Sequence, residues 1–205
     1  MLPFPRWDHR WNVLGLTILS QALIVGIHSY SFSFWVVPWS QEFATPRSHL
    51  MLIITFGMIA SGLIAPAIGN ALDKLPIRAV FCGGALLFSG TLFLISEATS
   101  VIVLQILYAG PLSIGMAVCG QLGTQTLINR WFDRRRGFAL GLSAAGVSLG
   151  ALLFPPIVTL LLAHDSWREA FRILAVGTIT LLGPAAWFIL SRSPSGNREA
   201  GTAVP

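Results

Sequence analysis

Polar side chains recur along stretches of sequence that are otherwise apolar. If residues 13–39 form one continuous helix, Thr17, Gln21, His28, Ser31 and Trp35 fall within an arc of about 80°. A second stretch carries Gln121, Thr124 and Gln125 on one side. Amides and hydroxyls bind solutes by hydrogen bonding, and on a membrane helix they must face protein or water, because lipid leaves them unsatisfied. Gln21, His28, Ser31, Gln121, Thr124 and Gln125 therefore face either water or hydrogen-bonding neighbours on other helices. Among acids, bases and histidines, His28 is the one side chain well inside an apolar run. Histidine changes charge near neutrality, which makes His28 the candidate proton-coupling group. A remote alternative is an intramembrane serine hydrolase, with Ser143 of GLSAAG as nucleophile and His28 as base. That chemistry needs the two within hydrogen-bond reach and an oxyanion site beside them. The sequence carries no phosphate-cradling loop, nucleotide motif or metal-ligand cluster, so a primary pump powered by ATP is not supported; no cofactor, no metal and no enzyme activity are expected.

The elements that position these residues follow from composition. Of 205 residues, 54% are hydrophobic and 10% charged, with a mean hydropathy of +0.73. A soluble domain carries about 25% charged residues to coat its core, and this chain cannot supply that coat. It reads as a polytopic membrane protein. Six apolar runs, at 13–39, 50–72, 77–96, 101–128, 138–163 and 171–190, each approach or exceed the roughly 20 helical residues that cross a hydrocarbon core. The joints between them (SQEFATPRSH, DKLP, EATS, NRWFDRRRG and HDSWREA) are short enough that neighbours must alternate in direction. Barrel strands would alternate with period two in units of about ten residues, and none do. The first run is too long for a secretory signal, and no small-residue cleavage site follows it. The expected organisation is a cytoplasmic N-terminus over 1–12, an all-α six-helix bundle over 13–191, and a polar tail or linker over 192–205.

Charge placement orients the bundle. With the N-terminus in the cytoplasm, Arg6, Arg10, Lys74, Arg78, Arg130, Arg134, Arg135, Arg136, Arg192 and Arg198 lie inside, and only Arg47, Arg168 and Arg172 lie outside. Cations gathered in loops on one side anchor a membrane protein, so the pI near 10.2 does not indicate nucleic acid. Cys82 and Cys119 both fall inside apolar runs, away from any disulfide framework. In the fifth run Ala139, Ser143, Gly146 and Gly150 share one narrow face, which lets two helix backbones approach closely in lipid. Gly137 and Gly141 extend that spacing. Pro155 and Pro156 are expected to break or kink the same helix, and Gly110 with Pro111 to break the fourth.

Four motifs carry a resemblance. GNALDKLPIR, with Gly69, Asp73, Lys74 and Arg78, resembles the loop between helices two and three of the major facilitator superfamily, with Ala71, Lys74, Pro76 and Ile77 at its departures. RWFDRRRGFALG followed by SAAGVSLGALLFPPIV, then SWREAF, and YSFSFWVVPWSQEFATPRS earlier, are similar to the monocarboxylate-transporter-like branch. Ser166 and Ser33 stand there at positions where the branch has glycine.

The resemblance implies one half of a major facilitator fold, built from two inverted three-helix repeats, with the first and fourth helices lining a central cavity. Gln21, His28, Ser31, Gln121, Thr124 and Gln125 are then the candidate lining of that solute cavity, the alternative being hydrogen bonds between helices with no ligand. GNALDKLPIR and HDSWREAFR, after helices two and five, echo that repeat. It further implies secondary transport of a small organic anion such as a monocarboxylate by alternating access, with a proton as candidate co-substrate. A second six-helix half is needed, from a separate chain or a second copy, in a cell inner membrane. Gly69, Asp73, Arg78, Arg130, Arg134 and Arg135 fall at the cytoplasmic gate, and Ser143, Gly146 and Gly150 at a helix-packing face. The helix-one lysine of the animal carriers is absent. The competing possibility is a truncated remnant or interaction protein that keeps the half-bundle without a pathway.

Overall fold

Six membrane-length helices, with mean hydropathies from 1.5 to 2.1, make up the computed structural model, which describes residues 9–132 and 135–191. The first crossing is α1 (His9–Tyr30) continued by α2 (Phe32–Glu42). Then follow α3 (Arg47–Lys74), α4 (Ile77–Ser96), α5 (Val101–Trp131), α6 (Arg136–His164) and α7 (Trp167–Ile189). Arg134 and the segments 1–8 and 192–205, which hold most of the expected N-terminal segment and the tail, lie outside the described residues.

Helix starts follow local chemistry. Pro46 and Pro76 precede α3 and α4 in extended conformation. Ser100 and Ser166 cap α5 and α7, accepting from Val103 N and Glu169 N at 3.3 Å each. Glu169 also places a carboxylate in the first turn of α7. These starts set α3 and α7 a few residues ahead of the apolar runs. The core is packed with Trp35, Trp39, Phe81, Phe88 and Phe171, all buried, while Met58, Leu63, Leu152 and Phe188 point outward, as on helices whose solvent is lipid.

Three features differ from the helices expected. The first crossing is interrupted by a π turn at Gly26–Tyr30, and α5 carries another at Tyr108–Leu112, which contains the Gly110–Pro111 pair expected to break it. Each turn is closed the same way: Ser31 Oγ donates to Gly26 O, and Ser113 Oγ to Tyr108 O, both at 2.9 Å. A π turn inserts one residue, so side chains beyond it are rotated by about 100° relative to a continuous α-helix. Pro155 and Pro156, by contrast, leave α6 unbroken from Arg136 to His164. Thr159 Oγ1 makes an i to i−4 back-bond to the Pro155 carbonyl at 2.8 Å. Thirdly, α5 breaks a second time at Gly120 (φ −86°, ψ −130°).

The inverted repeat is visible in the joints. Leu75 and Pro76 join α3 to α4 with φ, ψ of −97°, 158° and −58°, 118°. Asp165 and Ser166 join α6 to α7 with −131°, 168° and −70°, 156°. Both joints are extended pairs between antiparallel helices. Between the repeats, α6 crosses α1 at very short range. A Cβ on Gly146 would sit 2.4 Å from Ile18 O, and one on Gly150 would sit 2.5 Å from Ala22 O. Gly137 and Gly141, expected to extend this packing row, stand apart from it: a Cβ on either would meet nothing within 4 Å.

Candidate functional site

The second break in α5 shapes the site. The Gly120 N–H bonds back to Met116 O at 2.7 Å, and the freed Cys119 carbonyl accepts from Ser20 Oγ of α1. The helix then restarts at Gln121 and presents Gln121, Thr124 and Gln125 toward α1 and α6. A cleft of about 300 Å³ results. Gln21 and Val25 line it from α1, Met116, Gln121, Thr124 and Gln125 from α5, and Leu140, Ser143, Ala144 and Val147 from α6. No ionisable side chain is among these ten. Its polar chemistry is amide and hydroxyl, which orient a solute by donated and accepted hydrogen bonds.

One bond organises the cleft. Gln21 Nε2 donates to Thr124 Oγ1 at 3.0 Å, while Thr124 Oγ1 donates to Gly120 O at 2.7 Å. Gln21 Oε1 and Ser143 Oγ are buried without a hydrogen-bond partner among the described residues. Four expected cavity residues, Gln21, Gln121, Thr124 and Gln125, are thus brought together, and Ser143 of the packing row joins them.

His28 and Ser31 do not line the cleft. The π turn rotates the helix between Gln21 and these residues, so the arc drawn for a continuous α-helix does not persist. Ser31 is buried against Gly26 O. The His28 ring stacks at 4.9 Å on Tyr108, which donates its hydroxyl to the His28 carbonyl. Its Nδ1 lies 3.3 Å from Ser29 Oγ. Trp35 is buried against Phe171 at 4.6 Å, and Thr17 donates to Leu14 O at 2.8 Å. Ser143 makes no hydrogen bond to His28, so the nucleophile–base geometry is not formed.

The expected gate residues gather at one end of the bundle. Arg78 lies over the Trp187 ring at 3.6 Å, and Arg130 donates to Leu72 O. Arg135 adopts a left-handed φ of 75° just before α6, and Arg136 donates to Phe132 O at 2.8 Å. Asp73 is exposed with no ion-pair partner among the described residues, and Gly69 is half-buried on α3 with open space where a Cβ would be.

At the opposite end is a cluster that sequence reasoning missed. Arg168 donates to Glu42 Oε1 and to Ser96 O, both at 2.6 Å, and lies over Trp167 at 4.5 Å. The Trp167 indole N–H donates to the other Glu42 oxygen. Arg172 pairs with Glu97 and, at 3.1 Å, with Glu169. Burial alone would raise the Glu42 carboxyl, but the bonds from Trp167 and Arg168 and the guanidinium charge outweigh it, and its pKa lies below the ordinary 4.5. The Arg172 bond and charge likewise hold Glu97 below its ordinary value. The clue was available: SWREAF places Arg168 at the same helical position after its joint that PIR gives Arg78.

The family model of the Major Facilitator Superfamily matches residues 16–204. The chain is 27% identical over 192 residues to the MFS-type transporter YcxA of Bacillus subtilis, covering 93% of this chain and 46% of that protein. It is 32% identical over 178 residues to monocarboxylate transporter 13 of Bos taurus, covering 86% and 41%. The oxalate:formate antiporter of Oxalobacter formigenes is 29% identical over 179 residues, covering 85% and 41%. The chain therefore spans less than half the length of these relatives.

Proposed function

The chain belongs to the major facilitator superfamily, in its monocarboxylate-transporter-like branch, and from that premise we propose that it supplies one half of a secondary transporter for a small organic anion. The observation that carries the proposal is the cleft itself. In a bundle this apolar, Gln21, Gln121, Thr124, Gln125 and Ser143 converge from three helices on one space of solute size. Relatives named for monocarboxylates and for oxalate and formate supply the substrate class. The cleft lacks a charged group, so the cation that pairs with the anion comes from the second half.

That half packs against α3 and α6. These are the least covered of the six helices, with 17% and 22% of their most apolar stretch buried, and they carry the exposed Met58, Leu63 and Leu152. Alternating access then proceeds by rocking of this half against the other, with the Asp73, Arg78 and Arg130 end at the cytoplasmic side of a cell membrane, both termini cytoplasmic. The test is uptake of radiolabelled formate by proteoliposomes holding the purified chain, alone and with a second half, with native mass in nanodiscs identifying the assembly. A species of twice 22.1 kDa marks a homodimer. Saturable uptake that falls in Gln125→Leu supports the proposal. Uptake equal to protein-free vesicles in every assembly contradicts it.

A further inference from the structure

The hydrogen bonds around Thr124 constrain the solute more closely than the cleft's shape does. A threonine hydroxyl carries a single hydrogen. That of Thr124 is committed to its own helix, to Gly120 O at 2.7 Å with Gln121 O at 3.2 Å as the secondary acceptor. Toward Gln21, Thr124 Oγ1 can therefore only accept. This fixes the Gln21 amide: its NH₂ faces Thr124 at 3.0 Å, and its carbonyl oxygen Oε1 is turned the other way. Gln21 is 95% buried and Oε1 has no partner among the described residues. Ser143 Oγ, on the facing helix and 98% buried, is in the same position.

An amide oxygen held in this way cannot accept from a carboxylate, which is itself acceptor-only when ionised. Two acceptors face to face repel, and an unsatisfied acceptor in a buried site carries its full desolvation cost. A group that donates removes both penalties. The carboxylate of such a solute can take donors elsewhere in the cleft, from the Ser143 hydroxyl and from the NH₂ groups of Gln121 and Gln125, which line the same space. We infer that Gln21 is a specificity residue that reads a hydrogen-bond donor on the solute. The cleft then selects small organic anions that also carry a hydroxyl or ammonium group over anions of equal size that carry neither. This inference rests on the small-anion reading of the cleft.

Glycolate and acetate separate the two, because they differ by one hydroxyl. Binding of each, radiolabelled, is measured to the chain in nanodiscs, alone and in the assembly with its second half that native mass identifies. Glycolate is expected to bind about tenfold more tightly than acetate. Gln21→Met, which keeps the length of the side chain and removes Oε1, brings the ratio to within about twofold by weakening glycolate alone. Thr124→Val, which removes the oxygen that orients the amide, also reduces the ratio and guards against a folding defect in the first variant. Equal binding of glycolate and acetate by the wild-type chain overturns this inference and leaves the small-anion reading standing, as does a ratio unchanged in both variants. Binding of neither anion overturns the small-anion reading, and this inference with it.

Discussion

The two joints, Leu75 with Pro76 and Asp165 with Ser166, follow similar backbone paths, and each is followed by an arginine at the second position of the next helix. Their surroundings differ. Arg168 is held by Glu42, by the Ser96 carbonyl and by the face of Trp167, over a packed cluster in which Trp39 stacks on Phe171 at 5.9 Å. Arg78 lies over Trp187, which is 56% exposed. Among the described residues, contacts at that end include bonds from side chains to the carbonyls of helix ends: His9 Nε2 lies 2.8 Å from Ile189 O, and Arg130 donates to Leu72 O. A single donor to a helix-end carbonyl is one bond, whereas the Arg168 guanidinium is shared between a carboxylate and a carbonyl and cannot leave without loss of both. One repeated joint thus serves as a firm clasp at the Glu42 end and a light one at the Arg78 end.

The packing of α6 follows the same gradient. Near the Arg78 end, Gly137 and Gly141 have open space around them, while toward the Glu42 end Gly146 and Gly150 lie against the backbone of α1. Gly150→Ala forces a Cβ to within 2.5 Å of the Ala22 carbonyl, and two backbones must part to admit it. It is expected to cost about 3 kcal/mol, the largest effect proposed, read as a fall in the thermal midpoint of the purified chain. Arg168→Met removes two charge-assisted bonds and is expected to cost about 2 kcal/mol, against less than about 1 kcal/mol for Arg78→Met, which removes one exposed cation–π contact. Equal losses in the two methionine variants would break the comparison.

Acidification sharpens it further. The Glu42 carboxyl is depressed in the folded chain, so its contribution is fully present above the ordinary 4.5 and is lost as pH falls through the lower folded value. Stability is therefore expected to decline below about pH 4.5, and Glu42→Gln is expected to be lower at neutral pH and flatter on acidification. A titration of the midpoint for both proteins checks this. The smallest expected effect is Gly141→Ala, within about 0.5 kcal/mol of wild type, because nothing stands within 4 Å of the added carbon.

The helices were legible because each rests on a local signal: apolar runs of membrane length, bounded by Pro46, Pro76, Ser100 and Ser166. Gln121, Thr124 and Gln125 could be grouped because they lie within two turns of one another, and no interruption separates them. Ser31 and Trp35 share an arc with Gln21 only on a continuous helix, and a π turn lies between them. Tyr108 of α5 bonds the His28 carbonyl, and Ser31 closes the turn from beyond it, contacts that no periodicity encodes. The break at Gly120 escapes sequence reasoning for the same reason, since the Cys119 carbonyl it frees is satisfied by Ser20, 99 residues away. Arg168 is legible as a charge. Its partners Glu42 and Ser96 become neighbours only once α2, α4 and α7 meet.

Hydrogen exchange at matched amides tests the unequal joints most directly. Leu75 N–H bonds to Ala71 O at 2.9 Å, and its counterpart Asp165 N–H bonds to Leu161 O at 2.8 Å. Val80 N–H bonds to Pro76 O at 3.2 Å, and its counterpart Ala170 N–H to Ser166 O at 3.0 Å. With backbone hydrogen bonds so alike, differences in opening come from the side chains that hold each joint. Corrected for intrinsic rates, Asp165 and Ala170 are predicted to exchange about tenfold more slowly than Leu75 and Val80, and to lose that protection in Arg168→Met. Equal exchange at the two joints, or protection of Asp165 and Ala170 that survives Arg168→Met, would contradict the account.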